Sequence, residues 1–332
     1  MNAISGPHAQ TRPTAPIRLG VIGCGWIMRG IYAPILKRLE GQVKVTALCD
    51  ISTEALTVVG QIFPKARAYA GVEQMLAEGN LDAVMVLTSE GVNARTAIAV
   101  LTANIPVYLE KPPARDREEL HLLIAAVEKS SATLYAAYNR RHCPLLRELE
   151  IPKSLRRVSG RMERMGRTFR RFPYTALHLI DSLHYFTRTQ ALDIEASVQD
   201  GPPRGWRLSY RLDTGCPAEL TFIPDGDTHC EILVLEGVEK SVEIHFPNPE
   251  SDDAQGRLII RNASGEVRVI PGIAGDPAVQ MGYEPALQGF LDNLAASGTV
   301  PEAYRLDYAA PGISLMNAMF AAIPDAETVV KR

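Results

Sequence analysis

The sequence predicts an α/β fold: a doubly wound parallel sheet in its first half, followed by an α+β half with a mostly antiparallel open sheet. Three observations carry this expectation. Between Ile17 and about residue 138, short apolar runs alternate with helical patterns, the rhythm of a parallel sheet with helices on both faces. After about residue 139 that rhythm gives way to runs in which apolar and polar residues alternate, the period of a sheet wet on one face. At 332 residues the chain also exceeds what one compact core usually holds, so two domains are expected.

In chain order, the first-half strands are IRLGVIG (17–23), VKVTALCD (43–50), DAVMVLT (82–88), IPVYLE (105–110) and ATLYAAY (132–138). Each is short and rich in apolar or β-branched residues, as strands buried on both faces should be. Helical patterns lie between them at 26–39, 53–62, 72–78, 91–103 and 116–129. In the 91–103 helix, Ala97, Ile98, Leu101 and Thr102 fall at three-to-four spacing, one stripe for one sheet face. A basic stretch (151–172) leads into a further helix, 174–188. Six strands follow, at 206–212, 218–224, 229–237, 240–246, 256–262 and 265–271, two pairs of them joined at Gly237-Val238 and Ala263-Ser264 as hairpins. Two helices, roughly 282–297 and 304–323, close the chain. The expected units are a flexible tail (1–16), a first domain (17–138) and a second (139–332), with the final helix either completing the second or packing back on the first.

Composition excludes several classes. A net charge of -3 and a pI near 6.2 argue against nucleic-acid binding, which normally needs a basic excess. Five scattered cysteines without C-x-x-C spacing (Cys24, Cys49, Cys143, Cys216, Cys230) read as reduced thiols of a cytoplasmic protein rather than a disulfide framework. No apolar stretch approaches the roughly 20 residues of a membrane helix, and the first sixteen residues lack the apolar core of a secretory leader. Metal-ligand spacings, a G-x-S-x-G elbow and a P-loop are all missing, so no metal is expected and hydrolase or P-loop kinase chemistry has nothing to rest on.

The chemistry begins at LGVIGCGWIMRG. Gly23 and Gly25, with Trp26 and Ile27 directly after them, stand between a strand and a helix. A pyrophosphate must approach backbone N–H groups and a helix N-terminus at such a place. Met28 occupies the third glycine position of the fingerprint. Asp50 ends the next strand, where a carboxylate accepts hydrogen bonds from an adenosine ribose diol; Ser52 or Thr53 serves better as the cap of the following helix. Together these predict a Rossmann domain holding a nicotinamide dinucleotide. An acid at position 50 repels a ribose 2′-phosphate, which favours NAD over NADP unless Arg67 comes close enough to reverse the preference. Glu110-Lys111-Pro112 closes the IPVYLE strand at the carboxyl edge of the sheet, where ligands sit in open α/β folds, and Pro112 keeps Lys111 extended. On the 174–188 helix Tyr174, His178 and Asp181 share a face, either as proton-transfer groups or as satisfied polar groups in a packing face.

The ordered set VIGCGWI, Cys49-Asp50, DAVMVLTS (82–89), VYLEKP and YNRRHCP (138–144) resembles the glucose-fructose oxidoreductase/inositol dehydrogenase/rhizopine catabolism (Gfo/Idh/MocA) family over about residues 17–190. The resemblance implies that Lys111 lies beside the nicotinamide and the substrate hydroxyl, and that Thr88, Asn93 and Glu110 join the cofactor-binding residues. It makes His178 the acid/base, with Tyr174 where relatives usually carry an aspartate and Asp181 at the last position of that motif. Tyr32 and Asn93 stand where relatives often carry histidine, which suggests an altered substrate pocket. The implied substrates are sugars, cyclitols and their keto or amino derivatives, and the implied assembly is a homodimer or homotetramer built through the open sheet face. Asn139, Arg140, Arg170, Arg171 and Asp181 are the expected substrate contacts. The arginine-rich segment from Lys153 to Arg171, with Glu163 its only acid, either offers guanidinium forks to an anionic substrate group or is solvated surface. Two other readings remain open: a redox-inactive dinucleotide sensor, and a lyase or hydrolase that recycles bound NAD.

Overall fold

The computed structural model describes residues 15–324 except Ser297; the expected tail, apart from Ala15 and Pro16, lies outside the described residues. A six-stranded parallel sheet forms from β1 (Ile17–Ile22), β2 (Val43–Cys49), β3 (Arg67–Tyr69), β4 (Ala83–Val86), β5 (Val107–Glu110) and β6 (Leu134–Ala137). Its order is β3-β2-β1-β4-β5-β6. That is a Rossmann sheet, with the crevice for ligands opening where the order reverses between β1 and β4. The five expected strands are present. β3 escaped the sequence reading because it is a three-residue edge strand with two exposed positions.

Helices α1 (Ala33–Arg38), α2 (Thr53–Ile62), α3 (Val72–Glu78), α4 (Asn93–Thr102) and α5 (Arg117–Lys129) connect these strands. Ser52 caps α2, its Oγ accepting from Ala55 N–H at 3.1 Å, and Asp116 caps α5 by accepting from Glu119 N–H at 2.8 Å. The helix expected over 26–39 forms from Trp26 to Arg38, widening into a π turn at Met28–Tyr32 before α1. Such wide turns recur at functional sites. The buried stripe of α4 also differs from expectation. It runs through Asn93, Ala94, Thr96, Ala97, Val100 and Leu101, whereas exposed Thr102 turns its hydroxyl back onto the Ile98 carbonyl.

The second half is an eight-stranded sheet: β7 (Leu155–Glu163), β8 (Ala191–Gln199), β9 (Gly205–Leu212), β10 (Pro217–Ile223), β11 (Cys230–Gly237), β12 (Lys240–His245), β13 (Arg257–Asn262) and β14 (Val267–Pro271). The order is β14-β13-β12-β11-β7-β10-β9-β8, antiparallel except where β7 and β10 run parallel. Both expected hairpins form, although the first turn sits one residue later, at Val238-Glu239. β7 lies inside the basic stretch: Val158 and Met162 point into the core while Arg157 and Arg161 face solvent.

One face of this sheet packs on α6 (Phe172–Thr187) around Trp206, Phe222 and Leu179. After the short α7 (Pro277–Gln280) comes α8 (Tyr283–Ala296), which lands on the Rossmann sheet despite its place late in the chain. Its Leu287 and Phe290 share a core with Leu19, Tyr32 and Tyr108. α9 (Ala309–Ala321) joins both halves: Ala309 and Ile313 enter the Rossmann core, Leu315 and Met319 the second core. Helix α6 therefore presents its first turns to the carboxyl edge of the Rossmann sheet, held there from both sides.

Candidate active site

At the end of β1 the backbone turns at Gly23 with φ +101°, a conformation that side chains rarely adopt. A Cβ there would also stand 2.5 Å from the Leu87 carbonyl oxygen, whereas one at Gly25 would meet nothing within 4 Å. Gly23 is thus required by the fold, and Gly25 faces open space. Trp26 beside it is 67% exposed, and Ile27 packs on the core below. Asp50 is braced across the loop: Oδ2 accepts from Cys24 N–H at 2.7 Å and Oδ1 from Ser52 N–H at 2.8 Å.

Gly23, Gly25 and Asp50 line a cleft of about 680 Å³ that also includes Glu73, Thr88, Ser89, Arg95 and Thr96, whereas Trp26 and Ile27 are not part of its lining. Glu73, Arg95 and Thr96, which lie outside any motif, and Ser89, which closes the DAVMVLTS run, were not anticipated as cleft residues; the starts of α3 and α4 and the end of β4 bring them in. Arg67 does not line this cleft. It pairs with Glu78 at 2.5 Å and lies over the Tyr69 ring. Burial pushes the Cys24 and Cys49 thiols up to about 12 and about 11, with Asp50 adding to both, so neither is a nucleophile at neutral pH.

The second part of the site is the end of β5. Glu110 is 5% exposed; its Oε1 accepts from Tyr32 Oη–H at 2.8 Å and its Oε2 from Lys111 N–H at 2.8 Å. Asn93 clamps the same bend, donating to the Glu110 and Pro112 carbonyls at 3.2 and 3.0 Å while accepting from Thr88 Oγ1 at 2.6 Å. Lys111 Nζ donates to the Tyr174 carbonyl at 3.3 Å. Tyr174 thus meets Lys111 through its backbone; its ring packs against Phe320. Burial lowers the Lys111 pKa, opposed mainly by Glu110. Burial likewise drives His178 well below its ordinary value, helped by the positive charges of Lys111, Arg140 and Arg164. His178 is accordingly a neutral imidazole at physiological pH, able to accept a proton.

Behind His178 lies a buried ion cluster. Glu231 receives Arg140 Nη2 at 2.8 Å, Arg140 Nε at 3.2 Å and Arg164 Nη2 at 2.6 Å. Burial alone would raise the Glu231 pKa, but the two guanidinium groups hold it down. Arg140 Nη1 has no hydrogen-bond partner among the described residues. Asn139 donates to the Met281 carbonyl at 2.7 Å and leaves Oδ1 without one.

The remaining expected substrate contacts are placed elsewhere. Asp181 offers both oxygens to Arg141, at 3.0 and 2.6 Å, with neither residue reaching solvent. Arg171 reaches from the second half to Glu90 of the loop after β4, at 2.9 Å. Arg170 is half-buried, its Nη2 lacking a hydrogen-bond partner among the described residues. No group of three or more His, Cys, Asp or Glu among the described residues is arranged to hold a metal ion, and no described helix is long and apolar enough to cross a membrane.

A glycine turn with open space beside Gly25, a braced carboxylate at the end of β2 and a half-buried lysine at the end of β5, met by the first turn of α6, together make the parts of a dinucleotide-binding site. Comparison with known proteins shows what the chain is similar to. Residues 17–138 match the model of the Gfo/Idh/MocA oxidoreductase family, described as having an NAD-binding Rossmann fold. The chain is 28% identical over 125 residues to the myo-inositol 2-dehydrogenase of Thermotoga maritima, covering 38% of this chain but only 37% of that enzyme's length. It is 28% identical over 307 residues to the inositol 2-dehydrogenase/D-chiro-inositol 3-dehydrogenase of Halalkalibacterium halodurans, covering 85% of this chain and 84% of the relative. In fold it matches the UDP-N-acetylglucosamine 3-dehydrogenase GnnA of Acidithiobacillus ferrooxidans with a TM-score of 0.77 at 18% identity, over 93% of this chain and 98% of that one.

Proposed function

We propose that this protein is an NAD-preferring dehydrogenase or reductase acting on a CH–OH group of a sugar, cyclitol or related keto compound. The observation that carries the reading is half-buried Lys111 at the end of β5, tied to the Tyr174 carbonyl in the first turn of α6, with His178 one turn further along that helix and near enough for the lysine charge to help lower its pKa. Bound nicotinamide supplies the hydride acceptor or donor. Lys111 holds the substrate oxygen and polarises it, and His178 takes or returns the hydroxyl proton. The inositol dehydrogenases among the relatives and the fold likeness to a nucleotide-sugar dehydrogenase support this substrate class. Arg140, with a free guanidinium nitrogen beside the cluster at Glu231, and Asn139, with a free carbonyl oxygen, are the polar groups most readily turned to substrate. The five free cysteines suit a reducing compartment, the cytoplasm.

The cleft carries two carboxylates, Asp50 and Glu73, and one cation, Arg95 of α4, while Arg67 is committed to Glu78; Asp50, at the end of β2, favours a ribose diol over a 2′-phosphate. Calorimetry is expected to show tighter binding of NADH than of NADPH. Asp50→Ala should weaken NADH by about 10- to 100-fold, the loss of a charge-assisted hydrogen bond, and NADPH by much less. Turnover is tested by following the near-ultraviolet absorbance of NADH with myo-inositol and a panel of aldoses and ketoses. A protein that binds NAD but shows no absorbance change with any of them does not have this activity.

We also propose that two copies pair through the open face of the second sheet. Register places Ile232, Val234, Ile259, Val267 and Val269 on that face, flanked by Arg161, Glu243 and Arg261. Val267 and Val269 are exposed, an apolar strip of the kind that marks an interaction surface. Light scattering should give at least twice the chain mass of 36.3 kDa, and Val267→Lys with Val269→Lys should return it to one chain. A monomeric parent protein refutes the pairing.

A further inference from the structure

Tyr32 and Glu110 are more elaborate than a cofactor site needs. Tyr32 ends the π turn, is 0% exposed, and sets its ring edge-on to Tyr108 and Tyr283 at 5.9 and 6.1 Å. A phenylalanine would fill the same space. The hydroxyl is instead carried into the core, where a polar group needs a partner to offset its desolvation. That partner is the Glu110 carboxylate at 2.8 Å, with Tyr108 Oη a distant second at 3.4 Å. Glu110 in turn has just two oxygens, one on Tyr32 and one on the Lys111 amide.

We propose that Tyr32 is a positioning residue: its hydroxyl holds Glu110 as a carboxylate, and Glu110 keeps Lys111 an ammonium inside a desolvated cleft. The inference rests on reading Lys111 as the group that polarises the substrate oxygen. Around Glu110 stand Tyr32 from the π turn, Tyr108 on its own strand, Tyr138 just past β6, Tyr283 from α8, and Lys111. Four of these five are phenols, so Lys111 is the cation of the group. Burial raises the Glu110 pKa, against which act the charge of Lys111, the Tyr32 hydroxyl and the Lys111 amide. Burial lowers the Lys111 pKa; Glu110, Glu90 and Glu231 raise it, and Arg140 lowers it further. The sign of the coupling follows. Without the Tyr32 hydroxyl, Glu110 takes up a proton more readily, Lys111 loses the negative charge that most raises its pKa, and that pKa falls. Tyr32→Phe tests this with the removal of one oxygen and no change of ring.

The readout is the titration of Lys111 in the full chain labelled with ε-¹³C lysine, followed by NMR without substrate and assigned by the signal missing in Lys111→Arg. Tyr32→Phe is expected to move the Lys111 midpoint to lower pH, and Glu110→Gln, which removes the charge itself, to move it at least as far. The double variant should match Glu110→Gln alone, because the hydroxyl acts only through the carboxylate. A midpoint unchanged in Tyr32→Phe, or a Tyr32→Phe shift that adds in full to that of Glu110→Gln, overturns the proposal. Should Tyr32→Phe fail to fold, an unshifted midpoint in Glu110→Gln overturns it equally. The titration needs no turnover, so its failure is distinct from a failure of the dehydrogenase reading, which the absorbance assay reports.

Discussion

Lys111→Met is expected to lower kcat/KM by about 10²- to 10⁴-fold, the range for a positioned proton-transfer or polarising group, while NADH affinity stays within about threefold. Methionine keeps the aliphatic stem and its burial, so the cleft wall is preserved. The bond from the residue's amide to Glu110 belongs to the backbone and survives the change. What disappears is the ammonium, whose protein hydrogen bond in this structure is to the Tyr174 carbonyl. That carbonyl lies on a helix, so losing one donor to it unravels nothing. The dinucleotide cleft is built from other residues, Gly23, Gly25, Asp50 and Glu73 among them, hence the prediction of intact cofactor binding. The pH dependence of the parent enzyme gives a second reading. Burial holds the Lys111 pKa below the ordinary lysine value, so activity that needs the ammonium is lost as pH rises through that depressed value. His178 is already neutral across this range, because burial and three cations hold its pKa well below 6.5. A kcat/KM profile without a histidine limb near 6.5 is therefore expected. Activity in Lys111→Met above about a tenth of the parent's would mean that Lys111 is not the polarising group.

How much of this was legible in the sequence depends on how local each cause is. The turn at Gly23 could be read because one residue type satisfies a left-handed backbone jammed against the Leu87 carbonyl. Asp50 and Lys111 could be read because each sits at a strand end, and strand ends in a doubly wound sheet gather at one crevice. β7 was hidden for a different reason: arginines on its solvent face outweigh the two inward apolar residues that mark it as a strand. Partner choice was illegible altogether. Arg140 meets Glu231 across 91 residues and Arg141 meets Asp181 across 40. Adjacent arginines with similar prospects were thus assigned to two different clusters by the tertiary fold alone. The helical stripe that joins Tyr174, His178 and Asp181 illustrates the limit of periodicity. Seven residues of helix span roughly 10 Å, long enough for the two ends of one stripe to meet different neighbours. The first turn faces Lys111, and the last faces Arg141.

That separation makes Asp181 and Arg141 the site of the largest expected stability effect. Their side chains are 2% and 0% exposed and joined by two hydrogen bonds. Removing one member of a buried pair leaves an uncompensated charge, at a cost of about 3–5 kcal/mol. The two members are not equivalent. Arg141 also donates to the Ala303 and Arg305 carbonyls, at 3.3 and 3.0 Å, and lies over the rings of Tyr138 and Tyr185. Without Asp181, the guanidinium keeps two carbonyls and two aromatic faces to share its charge. Without Arg141, the carboxylate keeps no cation, and the segment leading into α9 loses its tie to α6 as well. Urea unfolding should therefore rank Arg141→Ala as the more damaging, with Asp181→Ala near the lower end of that range. The double variant Arg141→Met with Asp181→Leu should recover part of the loss, since it leaves neither charge behind. NADH affinity measured below the unfolding transition should be unchanged in Asp181→Ala, because the pair lines no part of the cofactor cleft. Equal damage from the two single variants, or a double variant as unstable as their sum, would show that the charges are not what the pair contributes.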